Sequence, residues 1–207
     1  MPKTICAKTE KNLANNLGDA ISAFYAFCDS KNLSERTIEY YRCRLVSFTR
    51  YLAETGIELK PVEATPAVIR DFLSYEKAAT SPATANHSLC TLKAFFSFLH
   101  DDGVISTNPA ASIQKLRVRK PIVETFSREQ MESILRTCRK DFYGVRDKAI
   151  ILLLLDTGMR AGELCGIRLE DVNWNQQTIR LLGKGDKERI DLTPASWSSS
   201  YVRMGQG

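Results

Sequence analysis

The chain has 207 residues, which is enough for one or two domains and too few for three. Its 43% hydrophobic and 26% charged residues are typical of a globular protein, and its longest apolar run, residues 149–155, is too short to span a bilayer. A formal net charge of +5 permits nucleic-acid binding but does not establish it.

Cysteine and histidine spacing argues against a metal centre. No two of the six cysteines stand in a C-x-x-C pair, and the two histidines are not spaced as metal ligands. We therefore expect no metal. The first fifteen residues carry charges and lack the apolar core of a secretory signal, so we expect a reduced, cytoplasmic location and no membrane association.

Four segments with apolar residues at helical spacing follow one another in the first half of the chain. Ser34, Thr65 and Ser81 each stand where a helix N-cap is expected, and Gly56 follows the end of the second apolar stripe. The pattern predicts a four-helix domain over residues 12–103.

Residues 104–121 have no clear period and carry the basic residues Lys115, Arg117, Arg119 and Lys120. We interpret this segment as an inter-domain linker. Charge alone favours a solvated loop, whereas between two DNA-facing domains the same charges would cross a phosphate backbone.

A second domain is predicted to open at Ser127, which with Gln130 has the spacing of a capping box. A further helix is predicted over residues 145–156. Because it is apolar all round at residues 150–155, we expect it to be the buried central helix of this domain, ended by Gly158.

A short helix is then predicted at residues 161–166, followed by two alternating segments, 178–182 and 189–192, that read as the strands of a hairpin. The turn between the strands is bounded by glycines and carries Lys184. Residues 195–207 lose all periodicity, and we expect a disordered tail.

Arg160, Glu163 and Lys184 are the candidate catalytic residues. A guanidinium fixed near a helix start suits an anion, and a lysine on a glycine-bounded turn can enter a site and donate a proton. The residues alone leave the alternatives open: a weak surface pair between Arg160 and Glu163, and a solvated turn lysine.

Basic residues off the apolar stripes are the candidate DNA-binding residues. Such positions are equally the solvated faces of ordinary helices, so this pattern does not discriminate by itself. With three residues of the linker, the candidates are Arg36, Arg42, Arg44, Arg50, Lys93, Lys115, Arg117 and Arg119.

Two strings resemble the catalytic domain of the tyrosine recombinase, or phage integrase, family: TGMRAGELCGIRLEDVN and the hairpin IRLLGKGDKERIDLTP. The helix SERTIEYYRCRLVSF resembles the core-binding domain of that family, and TNPAASI resembles its inter-domain segment. The resemblance covers residues 12–194.

The resemblance implies a mainly α protein: a four-helix, SAM-like core-binding domain, then residues 122–194 as the first part of an α+β catalytic domain with a β-hairpin. It implies that Arg160 binds the scissile phosphate, that Glu163 supports the site and that Lys184 protonates the leaving oxygen. It further implies double-stranded DNA and other recombinase subunits as partners, and no metal or nucleotide cofactor.

The sequence departs from the family in its last part. No His-x-x-Arg motif follows Lys184, both histidines precede Arg160, and Tyr201 in the tail is the only tyrosine after Lys184. We therefore expect a truncated site-specific recombinase that binds DNA but does not complete strand cleavage and rejoining. The alternatives are a non-catalytic DNA-binding or regulatory module and a non-functional remnant.

Overall fold

The computed structural model describes residues 12–119, 124–182 and 188–192. The chain forms two compact units, Met1–Pro121 and Ile122–Gly207. Three features named above lie outside the described residues: Lys120, Lys184, and the tail with Tyr201. Within the described ranges, no helix is long and apolar enough to cross a membrane.

The first unit contains four long helices, which confirms the four helical segments expected from the sequence. A helical turn at residues 12–15 precedes them. Their bounds are α1 Leu17–Ser30, α2 Glu35–Glu54, α3 Pro66–Ala79 and α4 Pro82–Asp101.

The starts of these helices follow from local hydrogen bonding. Ser34, Thr65 and Ser81 each accept a hydrogen bond from the backbone N–H three residues later, as predicted. The cap of α1 was not predicted: the Asn16 side chain accepts from the backbone N–H groups of Gly18 and Asp19.

Aromatic rings from all four helices fill the core of the first unit. Phe24 of α1 meets Phe95 of α4 edge-on, with ring centroids 5.6 Å apart. Phe48 of α2 and Phe72 of α3 meet similarly at 5.0 Å. All four side chains are at most 2% exposed, so these pairs join the helices into one core.

Part of the segment 104–121, which we interpreted as an inter-domain linker, packs into the first unit. Val104, Ile105, Ala110 and Ile113 are buried and belong to the core of the first unit. These apolar residues are irregularly spaced because the segment has no helix or strand to impose a period. The packed part of the unit therefore extends ten residues beyond residue 103, and the chain is exposed from residue 114 to 119.

The second unit combines three helices with a small antiparallel sheet of strand order β1-β2-β3. The predicted hairpin is present as β2 and β3. The element bounds are α5 Arg128–Thr137, α6 Phe142–Thr157, α7 Ala161–Cys165, β1 Val172–Asn173, β2 Thr178–Leu182 and β3 Glu188–Leu192.

Helix boundaries in this unit follow capping chemistry. Ser127 and Gln130 form the predicted reciprocal capping box. Helix α6 begins three residues earlier than predicted because the Asp141 carboxylate accepts from the Gly144 N–H at 2.8 Å. It ends as predicted at Gly158, which adopts a left-handed backbone with φ of 62°.

Helix α6 is not the central buried helix that its apolar run predicted. Of residues 150–155, only Leu153 is buried, and Leu155 is 38% exposed. One face of α6 packs against β2, where Leu153 shares a small core with Ile179 and Leu181. Among the described residues, no second layer covers the opposite face.

Candidate functional site

Arg160 and Glu163 form the centre of the candidate site in the second unit. Arg160 is the N-cap of α7, and its backbone N–H donates to Oε2 of Glu163 at 2.9 Å. Its guanidinium Nη1 donates to Oε1 of the same carboxylate at 2.8 Å. The i, i+3 pair that the sequence allowed is therefore formed at both the backbone and the side chain.

The two partners differ sharply in exposure. The Glu163 side chain is 6% exposed, whereas that of Arg160 is 76% exposed. A buried carboxylate thus anchors one edge of the guanidinium, and the remaining N–H donors face solvent. This arrangement presents an oriented cation to an incoming anion, which a flexible surface pair does not do.

Arg189 of β3 joins the same carboxylate. Its Nη2 lies 3.2 Å from Oε2 of Glu163, and its Nε donates to Oδ2 of Asp191 at 2.9 Å. Glu163 therefore links α7 to the hairpin. Sequence reasoning did not assign Arg189 to the site, because a lone arginine in an alternating strand carries no distinguishing signal.

The strand register places Arg189 on the face of the sheet that carries Ile179 and Leu181, with its side chain 40% exposed. Leu181 pairs with Arg189 and Ile179 with Asp191, so the two charged residues share the face of two buried apolar ones. Ile190 pairs with Arg180 on the opposite face and is 71% exposed. Hydrophobic alternation alone predicts that Ile190 is buried and that Arg189 and Asp191 lie on the opposite, solvent-facing side.

The electrostatics of the site keep Glu163 ionised. The backbone N–H of Arg160, followed by the Arg160 side chain, holds the pKa of Glu163 below its ordinary value. Asp171 behaves likewise, since the Arg168 backbone N–H and the Arg180 guanidinium lower its pKa. The carboxylates of Glu163 and Asp171 are therefore both stabilised in their ionised form by neighbouring arginines.

Among the described residues, no group of histidine, cysteine, aspartate and glutamate is placed to hold a metal ion. Lys184, the third candidate catalytic residue, lies outside the described ranges. The strands on either side of it in sequence, β2 and β3, are paired from Leu182↔Glu188 onward, and Arg189 of β3 contacts Glu163.

A groove on the first unit brings together several of the candidate DNA-binding residues. Helices α1, α2 and α4 line it, and Arg36, Arg42 and Arg44 are among its residues. Three carboxylates also line it, so its formal charges cancel. They are Asp29, Glu35 and Glu39.

Six of the eight basic candidates of the first unit are exposed, either in surface ion pairs or without one among the described residues, and the other two are partly buried. Arg42 pairs with Glu39 at 3.0 Å and Arg50 with Glu54 at 4.0 Å, both at the surface. Such exposed pairs are weak and exchange readily for another anion. The exposed residues Arg36, Lys115, Arg117 and Arg119 have no ion-pair partner within the described part of the chain.

Two further candidates make contacts within the first unit. Arg44 lies 3.6 Å from Glu76, whose side chain is 3% exposed and which also accepts a hydrogen bond from Ser47. Removing Arg44 from this pair would leave a buried carboxylate without a counter-charge. Lys93 donates from Nζ to the backbone carbonyl of Ala111 at 3.1 Å. Arg44 and Lys93 therefore contribute to the fold of the first unit, and their contact with DNA stays a prediction.

Comparisons with known proteins agree with this architecture. Residues 21–103 match the model of the phage integrase N-terminal SAM-like domain, and residues 124–200 match the phage integrase family model. A tyrosine recombinase XerC from Thermodesulfovibrio yellowstonii is 32% identical over 162 residues, and a XerD from Shewanella oneidensis is 33% identical over 163. The alignments cover 77% and 78% of this chain, and 52% and 54% of the relatives.

Solved structures share the fold. A lambda integrase tetramer bound to a Holliday junction matches with a TM-score of 0.73 at 16% identity, covering all of this chain and 61% of that one. A XerH recombinase bound to a palindromic difH substrate matches with a TM-score of 0.67 at 19% identity, covering 98% and 62%.

The two units, in this order, are an N-terminal SAM-like domain and a part of the phage integrase domain. The chain belongs to the phage integrase family of tyrosine recombinases. It spans about half the length of the curated relatives that it matches.

Proposed function

We propose that this chain binds double-stranded DNA as part of a site-specific recombination system, and that its second unit engages a backbone phosphate through Arg160. The observation that carries the proposal is the anchored guanidinium: Arg160 is fixed by the buried Glu163, yet its side chain is 76% exposed. A phosphodiester oxygen is the anion that a charged, oriented fork of N–H donors suits best.

The chemistry proposed for the site follows from that geometry. When an oxygen nucleophile attacks phosphorus, negative charge grows on the non-bridging oxygens, and a preorganised guanidinium stabilises it. Glu163 keeps Arg160 oriented, and Arg189 ties this arrangement to the hairpin. The family resemblance assigns Lys184 the protonation of the leaving oxygen.

The nucleophile is the part of the reaction that this chain does not visibly supply. The sequence has no His-x-x-Arg motif after Lys184, and Tyr201 is its only later tyrosine. We therefore propose DNA binding without completed strand breakage and rejoining for the 207-residue chain by itself.

A regulatory module is the second candidate function. Related structures hold integrase dimers and tetramers on DNA, and this chain covers about half of its curated relatives. We propose that it can occupy recombination sites alone or together with other recombinase subunits. The expected location remains the cytoplasm, which the free cysteines of the described residues fit.

Fluorescence anisotropy with a labelled 30-base-pair duplex tests DNA binding. We expect measurable affinity at 50 mM NaCl and a steep loss by 200 mM NaCl, because binding to phosphates releases counterions. Arg160→Ala is expected to weaken binding about five-fold, in the range of one charge-assisted contact. Arg128→Ala is the control, since it removes the same charge from a side chain 87% exposed on α5.

The outcomes separate the possibilities. Absence of binding at 50 mM NaCl, or an affinity independent of salt, refutes DNA binding as the function. Equal losses in Arg160→Ala and Arg128→Ala refute the role assigned to Arg160, while leaving DNA binding itself in place.

A further inference from the structure

Asn86 makes a two-point contact with the backbone of the segment that follows α4. Its side-chain Nδ2 donates to the carbonyl of Leu116 at 2.9 Å, and its Oδ1 accepts from the N–H of Leu116 at 2.7 Å. A carboxamide that satisfies both backbone groups of one residue fixes the position and the orientation of that peptide. The contact lies at an exposed site, thirty residues away along the chain.

Two further side-chain contacts hold the preceding part of the segment on the same helix. Lys93 donates to the Ala111 carbonyl at 3.1 Å, and Asn108 donates to the Lys93 carbonyl at 3.3 Å. From Lys93 back to Asn86 is seven residues of helix, or about 10 Å. The segment from 108 to 116 therefore runs antiparallel to α4, toward its N-terminal end.

The path brings the basic residues of the segment to the N-terminal end of α4. Thr84 and His87, from the N-terminal end of α4, line the groove, and Asn86 lies between them in sequence. Lys115 and Arg117 flank the clamped Leu116, and Arg119 follows. All three basic side chains are exposed, and residues 113–119 run without a turn or bend.

We propose that Asn86 is a positioning residue for DNA binding: by clamping Leu116 it presents Lys115, Arg117 and Arg119 from a fixed point as a preorganised row of phosphate contacts. The inference rests on the proposed DNA binding and deepens it. The row matters because its three side chains are exposed and have no ion-pair partner among the described residues, whereas the formal charges of the residues that line the groove cancel.

The physical advantage of the clamp is entropic. An unanchored basic segment must be ordered when it meets DNA, and that ordering opposes binding. The buried residues Ala110 and Ile113 already attach the segment to the core, so the fold does not require a further anchor at Leu116. The contact of Asn86 acts at the point where the packed part ends and the basic row begins.

A double-mutant cycle tests the proposal with the full chain and the labelled 30-base-pair duplex. In the wild-type background, Asn86→Ala is expected to weaken binding about five-fold, since it restores freedom to three long side chains and their backbone. In a background of Lys115→Ala, Arg117→Ala and Arg119→Ala, the same change is expected to have less than about a two-fold effect. Gln114→Ala, an exposed neighbour in the same segment, is the matched control.

A second variant keeps the test sharp if Asn86→Ala perturbs folding. Inserting two glycines after Leu116 leaves the clamp intact but detaches Arg117 and Arg119 from it, and should weaken binding to a similar extent. An unchanged affinity in both variants overturns the proposal, as does an equal loss from Asn86→Ala in the two backgrounds. If the wild-type chain does not bind the duplex at all, the proposed function fails first and this inference fails with it.

Discussion

Glu163 shows how one carboxylate organises a site at the residue scale. It accepts hydrogen bonds from the backbone and side chain of Arg160 and lies 3.2 Å from the guanidinium of Arg189. Burial alone would raise its pKa, but these contacts outweigh burial and lower it. The second unit should therefore lose stability when this group is protonated.

We predict a pH-dependent effect of Glu163→Gln. A carboxylate with a lowered folded-state pKa contributes stability that is present above its unfolded pKa of about 4.3 and is lost as pH falls through the folded value. The variant should melt at a lower temperature than the wild type at pH 7, and the difference should shrink below about pH 4. Tryptophan fluorescence reports this unit, since both tryptophans, Trp174 and Trp197, lie within it.

Glu132→Gln is the control for this experiment, because the pairs that Glu132 forms within the described ranges, with Arg128 and Arg136, are exposed. Asp171 also has a lowered pKa, so the melting temperature of Glu163→Gln should still fall somewhat as the pH is lowered. A melting difference that stays constant from pH 7 to pH 3 would contradict the role assigned to the ionised carboxylate.

Arg36 and Arg44 provide a matched pair of arginines on one helix. Arg44→Ala should destabilise the first unit by about 2 kcal/mol, because it leaves Glu76 buried without its partly exposed counter-charge. Arg36→Ala should change stability by less than about 0.5 kcal/mol, as expected for an exposed residue that has no ion pair with any described residue. Urea unfolding followed by circular dichroism measures both.

DNA affinity should show the opposite order when it is measured on variants that remain folded. Arg36→Ala should weaken binding, since its guanidinium is available to a phosphate, whereas Arg44→Ala should act on stability first. Equal stability losses in the two variants would remove the distinction drawn between them.

At the scale of elements, local chemistry made much of the fold predictable. The caps at Ser34, Thr65 and Ser81 depend on neighbouring residues alone, and so does the left-handed Gly158. The packing of residues 104–113 depends on a core formed by distant helices, which no local period reveals. The sequence therefore located the helices well and misjudged where the first unit ends.

The same limit applies to the candidate site. Arg160 and Glu163 lie three residues apart, so their contact could be anticipated from spacing. Arg189 reaches Glu163 only because the strand register turns it inward and places Ile190 outside. Arg44 joins Glu76 only through the packing of α2 on α3. Such tertiary contacts cannot be inferred from the pattern of one helix or one strand.

The turn between α5 and α6 leaves no room for a side chain at Gly144. A Cβ built there would stand 2.0 Å from the Arg139 carbonyl oxygen, and the obstruction is backbone. We predict that Gly144→Ala destabilises the second unit by about 3 kcal/mol, at the upper end of overpacking costs. Gly162→Ala is the control, since nothing lies within 4 Å of its Cβ position and alanine favours the helix.

Chemical denaturation monitored by tryptophan fluorescence measures both glycine variants. Gly162→Ala should leave the midpoint unchanged or raise it slightly. A Gly144→Ala midpoint within error of the wild type would show that residues 138–141 move aside easily, contrary to the fixed cap that Asp141 gives α6.

At the scale of the whole molecule, the chain carries more of what DNA binding requires than of what catalysis requires. Its first unit has an extensive aromatic core and carries the basic side chains for which we propose DNA binding. Its second unit supplies an anchored arginine on a small core of buried residues: Ala149, Leu153, Met159, Ile179 and Leu181. Binding requires only exposed charge, whereas catalysis requires every reacting group to be held in place together.

We predict that the 207-residue chain alone forms no covalent adduct with DNA. Phosphoryl transfer needs a nucleophile in line with the leaving oxygen, stabilisation of the charge on phosphorus and protonation of the leaving group. Arg160 can supply part of the second requirement, and the family resemblance assigns the third to Lys184. Loss of one preorganised donor costs about 2.7–4 kcal/mol, so a sequence with no His-x-x-Arg motif after Lys184 should show no detectable turnover.

The measurement incubates the chain with a library of nicked, randomised 30-base-pair duplexes and separates the products on a denaturing gel. We expect no protease-sensitive band of reduced mobility, although the same library should bind in the absence of denaturant. Tyr201→Phe is the decisive variant, because Tyr201 is the only tyrosine after Lys184. An adduct that forms with the wild type and disappears in Tyr201→Phe would assign the nucleophile to the tail and make this chain a complete strand-cleaving enzyme.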